Sequence, residues 1–491
     1  MPFLKSLNRC FLSGSRKSFF GMKHSGVFLA LLCAGPGILR AADPSPGPNI
    51  LILLADDLGY ADIGVNGCPD FATPNIDSIA RNGVRFTSGY VSGPVCSPSR
   101  AGLMTGRCQT RFGHEFNHAT ADLSPFGLPA SVKTAAQWFQ EAGYATGHIG
   151  KWHLGSMRNP EFRPENRGFG ESVWFPGQDK LPPLFYFRHN GDAAPGNPGN
   201  DPGIERTAKF FFDREDPKFR EAARADDPYV DAAMVREARQ FIGRNESRPW
   251  FLYVAFLTPH TPLTPPPGSE DSSISEVKRR KCAAMMTVLD RGIGEVMLML
   301  RDSGQEERTL VVFLSDNGAV PANGSGNTPL KGYKGTLWEG GIRVPFVMQW
   351  RGGGIPAGKV VDAPVSSLDI LPTALAAAGI PVPADACLDG VDLLPFLTGK
   401  SKEPPHEALF WRYGDQRAVR QGDWKLVRTL DGGRNPTLRQ GLYNLLDDIG
   451  EKKDVSTAEP GKAAELQAKW DEWNAGNIKA LWEYESPVDA R

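Results

Sequence analysis

Cys96 and Arg100 stand four residues apart in "GPVCSPSRAGLMTGR", a segment that reads as a strand-to-helix turn. A thiol at a helix N-terminus near a cation is placed where thiolate is favoured. An inert cysteine packs equally well there, so the rest of the chain must decide. Other groups able to do chemistry follow apolar runs: Asp56 and Asp57 after "PNILILLA", Lys151 and His153 in "GKWHLG", His260 in "TPHTP", and Asp316 and Asn317 in "LSDNG"; Lys334 stands apart from them in "YKGTLWEGG". Asp56, Asp57, Asp316 and Asn317 form a hard, oxygen-only ligand set suited to calcium or magnesium rather than zinc. Calcium tolerates adjacent carboxylates and irregular geometry better. Arg100, Lys151, Lys334, His153 and His260 around such an ion would bind a small tetrahedral oxyanion ester and stabilise the group it transfers. Cys96 does not fit, because hard cations do not choose sulfur.

Taken singly, each motif has a plainer reading. An Asp pair after a strand makes an Asx turn or a helix cap, "SDNG" is a good turn, and "TPHTP" is a proline-framed bend. Their common position outweighs this. "PNILILLADD", "GVRFTSGY", "YATGHI", "WFLYVAFL" and "TLVVFL" read as strands, and each is followed by one of the groups above. Helical segments alternate with them: "TPNIDSIARNG", "ASVKTAAQWFQEAG", "VDAAMVREARQFIGRN", and "SEVKRRKCAAMMTVLDRGIGEVMLMLRDSG" as one or two helices. Buried strands alternating with helices predict a mostly parallel sheet covered on both faces. In such sheets ligands bind beyond the carboxyl ends of the strands, so five strand ends converge on one rim.

After about Pro404 the texture changes. "RAVRQGDWKLVR" reads as a hairpin, "GLYNLLDDIGEKKDV" adds a strand and turn, and "AAELQAKWDEWNAGNIKALW" reads as a closing helix. This predicts a catalytic domain over 43–403, with a Pro/Gly/aromatic insertion at about 156–230, and a smaller C-terminal α+β domain over 404–491 with an antiparallel sheet. Residues 1–42 carry Lys and Arg followed by "GVFLALLCAG", which is expected to be a signal peptide cleaved near Ala41 or Ala42, with Met22 as an alternative start. Export to the periplasm or exterior follows. No other run is apolar enough to span a membrane.

With 491 residues, 41% hydrophobic and 23% charged, the chain is a globular protein of more than one core. A net charge of -1 argues against nucleic-acid binding. Seven cysteines show no metal-ligand spacing. Two fall in the expected signal peptide, and Cys96 is the candidate for the unpaired thiol among the rest.

"CSPSRAGLMTGR" resembles the signature of the formylglycine-dependent (type I, arylsulfatase-like) sulfatases, Cys-x-Pro-Ser-Arg followed by Leu-x-Thr-Gly-Arg. "PNILILLADDLGYADIG", "TPNIDSIARNGVRFTSGY", "GKWHLG", "TPHTP", "LSDNG", "YKGTLWEGGIRVP", "GDWKLVR" and "LYNLLDD" match in family order. The resemblance implies the three-layer α/β/α sandwich of the alkaline phosphatase superfamily and a sulfuric ester hydrolase. It also implies that a maturation enzyme converts Cys96 to formylglycine, an aldehyde whose hydrate supplies the oxygen that sulfur cannot. Asp56, Asp57, Asp316, Asn317 and modified Cys96 would then hold one calcium ion, with Arg100 beside the nucleophile. Lys151, His260 and Lys334 would bind the sulfate, His260 would protonate the leaving alcohol, and His153 would act as base when sulfate departs.

For the substrate, His114, Asn117 and His118 after the signature, Trp174, Arg188 and His189 in the insertion, and Trp411 and Arg412 in the C-terminal domain offer aromatic and polar or cationic groups near the mouth. They suit an anionic sugar, so a sulfated polysaccharide or oligosaccharide is the expected substrate class. Two alternatives share the fold: a phosphate or phosphonate monoester hydrolase, and an inactive glycan-binding relative. A metal-free cysteine phosphatase would need Cys-x5-Arg, which the position of Arg100 does not provide.

Overall fold

The structure is a computed structural model, and it describes residues 47–117, 125–156, 159–175, 230–432 and 436–483. The expected signal peptide, most of the insertion, His118, Arg188 and His189 lie outside the described residues, and of Trp174 only the backbone is described.

The five apolar runs form strands as expected, as β1 (Asn49–Ala55), β2 (Val84–Phe86) with β3 (Gly89–Tyr90), β4 (Ala145–Lys151), β6 (Trp250–Ala255) and β7 (Thr309–Ser315); β5 (Glu171–Phe175), inside the expected loop insertion, β8 (Phe346–Gln349), β9 (Lys359–Val361) and β10 (Val365–Ser366) were not expected. Eight of them make one sheet in the order β5-β4-β6-β1-β7-β8-β2-β9. Within it β8 alone runs against its neighbours, while β1 pairs in parallel with both β6 and β7. The motif "GVRFTSGY" therefore divides: β2 joins the large sheet, and β3 pairs with β10 in a separate two-stranded ladder.

Central strands buried on both faces read as unbroken apolar runs, and alternate residues separate into two cores. Ile50, Ile52 and Leu54 of β1, Phe251 and Tyr253 of β6, and Val312 of β7 face one core. Helices α2 (Cys96–Thr105) and α3 (Ala135–Glu141) contribute Leu103, Met104 and Phe139 to it. Leu51, Leu53, Leu252 and Phe313 face the other core, where α1 (Pro74–Arg81), α4 (Val230–Arg244) and α5 (Val277–Asp302) supply Ile76, Phe241, Met286 and Leu289. The result is three layers, helices over sheet over helices. The stretch expected as one or two helices is a single helix, α5. No described helix is long and apolar enough to cross a membrane, and no disulfide joins the five described cysteines.

Four antiparallel strands follow: β11 (Leu409–Tyr413), β12 (Gln416–Gln421), β13 (Trp424–Asp431) and β14 (Thr437–Asn444). One face of this sheet packs against Tyr90, Leu337 and Trp338 of the preceding part of the chain. The other is covered by Leu466 and Trp470 of α6 (Pro460–Asn474). The closing helix is shorter than expected. Beyond Gly476 the chain turns away, and Ile478 N and Leu481 N donate to the carbonyls of Thr110 and Gly113, at 3.1 and 2.9 Å.

Candidate active site

Each group at the rim is placed by the way its strand ends. After β1, Asp57 takes a left-handed backbone at φ 64, a conformation that Asp tolerates better than most residues. Its N–H donates to Asp316 Oδ1 at 3.1 Å, which ties the turn after β1 to the turn after β7. The second turn is pinned by Gly318, where a Cβ would fall 1.8 Å from the carbonyl oxygen of Gly340. Only glycine permits that approach, and it brings Asn317 beside the segment that carries Lys334.

Ligand atoms of Asp56, Asp57, Cys96 and Asp316, all buried, lie within 4.8 Å of one another. The Cys96 Sγ is 3.6 Å from Asp56 Oδ1 and 3.9 Å from Asp57 Oδ1. Asn317 donates through Nδ2 to Asp57 Oδ1 at 2.7 Å, while its Oδ1 is buried with no hydrogen-bond partner among the described residues. A buried carbonyl oxygen without a donor is costly. With three carboxylates beside this amide, the donor set fits a hard divalent ion.

Three cations balance the three carboxylates. Arg100 donates from Nε and Nη2 to Asp316 Oδ2 at 2.9 and 2.7 Å, and from Nη1 to the Lys151 carbonyl at 2.9 Å. Lys151 Nζ lies 2.7 Å from Asp56 Oδ2. Lys334 Nζ is 2.7 Å from Asp57 Oδ1 and 3.1 Å from Cys96 Sγ. Burial alone would raise the Asp56 carboxyl, but Lys151, His260 and Arg100 outweigh it and hold the group well below the usual range. Burial likewise opposes the charge on Lys334, yet Asp57 keeps its ammonium protonated well above the ordinary lysine range. For Cys96 burial and Asp316 prevail over Lys151 and Lys334, and the thiol is pushed up to about 12. A thiol so held is protonated at neutral pH and is a poor nucleophile.

His260 and Lys334 are the partly exposed members, with side chains 13% and 15% accessible. The His260 Nδ1 lies 2.5 Å from the Thr261 carbonyl, which can only accept, so Nδ1 carries a proton. Its Nε2 faces Asp57 Oδ2 at 3.4 Å. His153 has a buried ring and a left-handed backbone at φ 57.

The structure thus gathers Asp56, Asp57, Cys96, Arg100, Lys151, His260, Asp316, Asn317 and Lys334, with His153 two residues beyond Lys151. The residues expected at the substrate rim are placed differently. Trp411 is buried and donates from Nε1 to the Val91 carbonyl at 2.7 Å. Arg412 pairs with Glu115 at 2.7 Å and reaches Asn474 Oδ1 at 2.9 Å. His114 is fully buried, 2.6 Å from Ser97 Oγ, with its ring edge-on to Trp482 at 4.8 Å. Asn117 accepts from Ser97 N at 2.9 Å. These side chains are engaged in internal packing, because the loop after α2 folds back under the C-terminal domain.

Two supporting residues were missed. Asp231, in the first turn of α4, holds the Thr258 hydroxyl and Leu257 N on the loop that carries His260. An acid there reads from sequence as an ordinary helix cap, so no signal distinguished it. Ser97 lies inside the quoted signature but has no role in it.

The sulfatase family model matches residues 48–380, and a model described as N-sulphoglucosamine sulphohydrolase, C-terminal, matches residues 333–470. The chain is similar to arylsulfatase A of Homo sapiens, 35% identical over 413 residues that cover 82% of this chain and 78% of that protein. It is also similar to N-acetylgalactosamine-6-sulfatase of Canis lupus familiaris, 34% identical over 415 residues, covering 82% and 75%. Among solved structures it resembles Ps i-CgsB, with a TM-score of 0.75 and 32% identity over 90% of this chain and 96% of that one. Another crystal structure of Ps i-CgsB is a complex with k-i-k-neocarrahexaose.

Proposed function

We propose, for a chain that belongs to the sulfatase family and is a sulfuric ester hydrolase, that it removes sulfate from a sulfated carbohydrate with a formylglycine at position 96 and one calcium ion. The observation that carries this reading is the meeting of three carboxylates and the Cys96 side chain at one point of the rim, with the Asn317 amide bonded to one of them and three cations around them. Asp56, Asp57, Asp316, Asn317 and residue 96 would hold the calcium, which supplies a fixed positive charge where negative charge develops. Formylglycine at position 96 supplies an oxygen nucleophile in place of a thiol that stays protonated.

The remaining chemistry belongs to the chain's own side chains. Arg100, fixed by Asp316 and the Lys151 carbonyl, keeps a permanent positive charge beside residue 96. Lys151 and Lys334 bind the sulfate oxygens, a preorganised electrostatic contribution that needs no rearrangement during reaction. His260 holds one proton at Nδ1 against Thr261 and gives the other from Nε2 to the leaving alcohol. His153 is the second acid–base group.

The carbohydrate is supported by relatives whose names specify sulfated sugars and by Ps i-CgsB with its bound hexaose. Cleavage of the leader near Ala41 or Ala42, export, action of a formylglycine-generating enzyme, and a catalytic domain over 43–403 followed by the 404–491 domain belong to the same proposal.

Co-expression with the maturation enzyme, followed by the mass of tryptic peptide Phe86–Arg100, tests the modification. The same preparation is given 4-nitrophenyl sulfate, 4-nitrophenyl phosphate, sulfated galactan oligosaccharides and N-acetylgalactosamine 6-sulfate. Conversion at Cys96 with sulfate released from a sugar supports the proposal. An intact thiol, or a preference for the phosphate ester, overturns it.

A further inference from the structure

Ser97 follows the expected nucleophile, and its side chain has two partners outside the carboxylate cluster. Its Oγ lies 2.6 Å from the backbone carbonyl of His153 and 2.6 Å from His114 Nε2. A hydroxyl has one proton to give, and a carbonyl can only accept. Ser97 therefore donates to His153 O and accepts from His114 Nε2–H, which fixes the proton on that ring nitrogen. The residue whose carbonyl is held is the one with the left-handed backbone, φ 57 without being glycine. Such a conformation persists only where its surroundings over-determine it.

The arrangement continues outward. Ser97 N donates to Asn117 Oδ1 at 2.9 Å, and Asn117 O accepts from Trp482 Nε1 at 3.3 Å. Trp482 also meets the His114 ring edge-on at 4.8 Å. Leu481 N bonds the Gly113 carbonyl, so the chain beyond α6 is fastened to the same loop.

We propose that Ser97 and His114 are positioning residues for His153: their hydrogen-bond relay, braced by Trp482, holds the His153 backbone in its left-handed conformation and so aims its imidazole into the active site. This rests on the role given to His153 in the proposed function. His114 thereby acts through Ser97 rather than on substrate.

The test compares Ser97→Ala, Ser97→Thr, His114→Gln and Trp482→Ala in the full chain, with the fraction converted at position 96 measured by peptide mass in each. With 4-nitrophenyl sulfate, Ser97→Ala is expected to lower kcat per converted site by about tenfold or more while KM moves by no more than about twofold. Its pH–rate profile should shift. Ser97→Thr and His114→Gln keep a hydroxyl and a donor, so they should recover most of the rate, and Trp482→Ala should fall between. A readout independent of turnover is the slowly exchanging, downfield imidazole N–H of His114 by NMR, expected in the unsubstituted protein and lost in Ser97→Ala. If the unsubstituted enzyme is converted and active but Ser97→Ala keeps its kcat and pH profile, the relay falls and the proposed function stands. If the unsubstituted protein releases no sulfate, the proposed function falls and the NMR signal decides the relay. Absence of that signal from the unsubstituted protein overturns it.

Discussion

The segment from Lys334 to Arg343 contributes to two buried clusters of charge that differ in access to solvent. Lys334 belongs to the rim cluster. Glu339 and Arg343 belong to the other, which lies under the C-terminal sheet. There Lys425 Nζ sits 2.8 Å from Glu339 Oε1 and 2.9 Å from Glu451 Oε1, with all three side chains at most 1% accessible. Arg343 pairs with Glu339 Oε2 at 3.1 Å, and the Tyr90 hydroxyl donates to the same oxygen at 2.6 Å. Glu339 N donates to Glu451 Oε2 at 2.7 Å, and Arg420 donates to the Tyr90 hydroxyl. This second cluster is buried throughout and ties the C-terminal sheet to the preceding part of the chain. Each cluster holds one buried oxygen without a hydrogen-bond partner among the described residues, Asn317 Oδ1 at the rim and Glu451 Oε1 in the other, but the rim cluster alone has two partly exposed basic side chains at its mouth. Burial, ion pairing and an unmet acceptor therefore do not by themselves mark a site; access to solvent beside them does.

The largest effect that would sharpen this contrast is at Cys96. Cys96→Ala is expected to remove sulfate release by on the order of 10^6-fold, with thermal unfolding nearly unchanged. Substantial residual activity in the purified variant would break the contrast. Lys425→Met should do the reverse. Removing Lys425 leaves Glu451 without its cation and Glu339 with Arg343 alone, for a loss of about 3–5 kcal/mol in urea unfolding. The fraction still folded should keep its kcat, because Lys425 touches no group at the rim.

Removal of the divalent ion by chelation should abolish activity and lower the unfolding temperature, and calcium in excess should restore both. An ion at about 100 times its Kd stabilises the folded state by roughly 2.7 kcal/mol. Chelation with no change in either quantity would argue against an ion in the rim cluster.

The smallest effect concerns pH. Burial raises the Glu451 carboxyl from 4.5 to about 7 despite Lys425. Between those values the unfolded chain gives up a proton that the folded protein keeps, so stability falls as pH rises through that window. Below it both states are protonated, the slope vanishes, and the stabilisation from the protonated group is fully present. Glu451→Gln should remove this part of the slope, read as unfolding free energy at about pH 5 and about pH 7. An unchanged slope would show that Glu451 ionises normally.

Much of the rim was legible in the sequence because its geometry is local to strand ends. Asp56 and Asp57 follow β1, Asp316 and Asn317 follow β7, and a parallel sheet delivers such turns to one edge whatever the details of packing. The outer rim was not legible in the same way. Trp411 and Arg412 have the same residue types as a sugar platform and its cation, yet Trp411 is in the core and Arg412 is taken by Glu115. Residue type states what a side chain can do, and only its neighbours decide whether that capacity is already used. Asp231 and Ser97 were missed for the converse reason: their partners, Thr258 and the His153 carbonyl, are 27 and 56 residues away.

The sequence by itself determined the layered fold, the set of groups at the strand ends and the closing antiparallel sheet, since hydrophobic period, turn residues and motif order are properties of neighbouring positions. Tertiary structure alone decided that β3 leaves the main sheet, that α6 stops at Asn474 so the chain beyond can fasten the 109–117 loop, and which of two buried ion clusters is left open. Those outcomes depend on hydrogen bonds and burial between distant segments, and a linear pattern of residue types does not encode which distant donor will meet which acceptor.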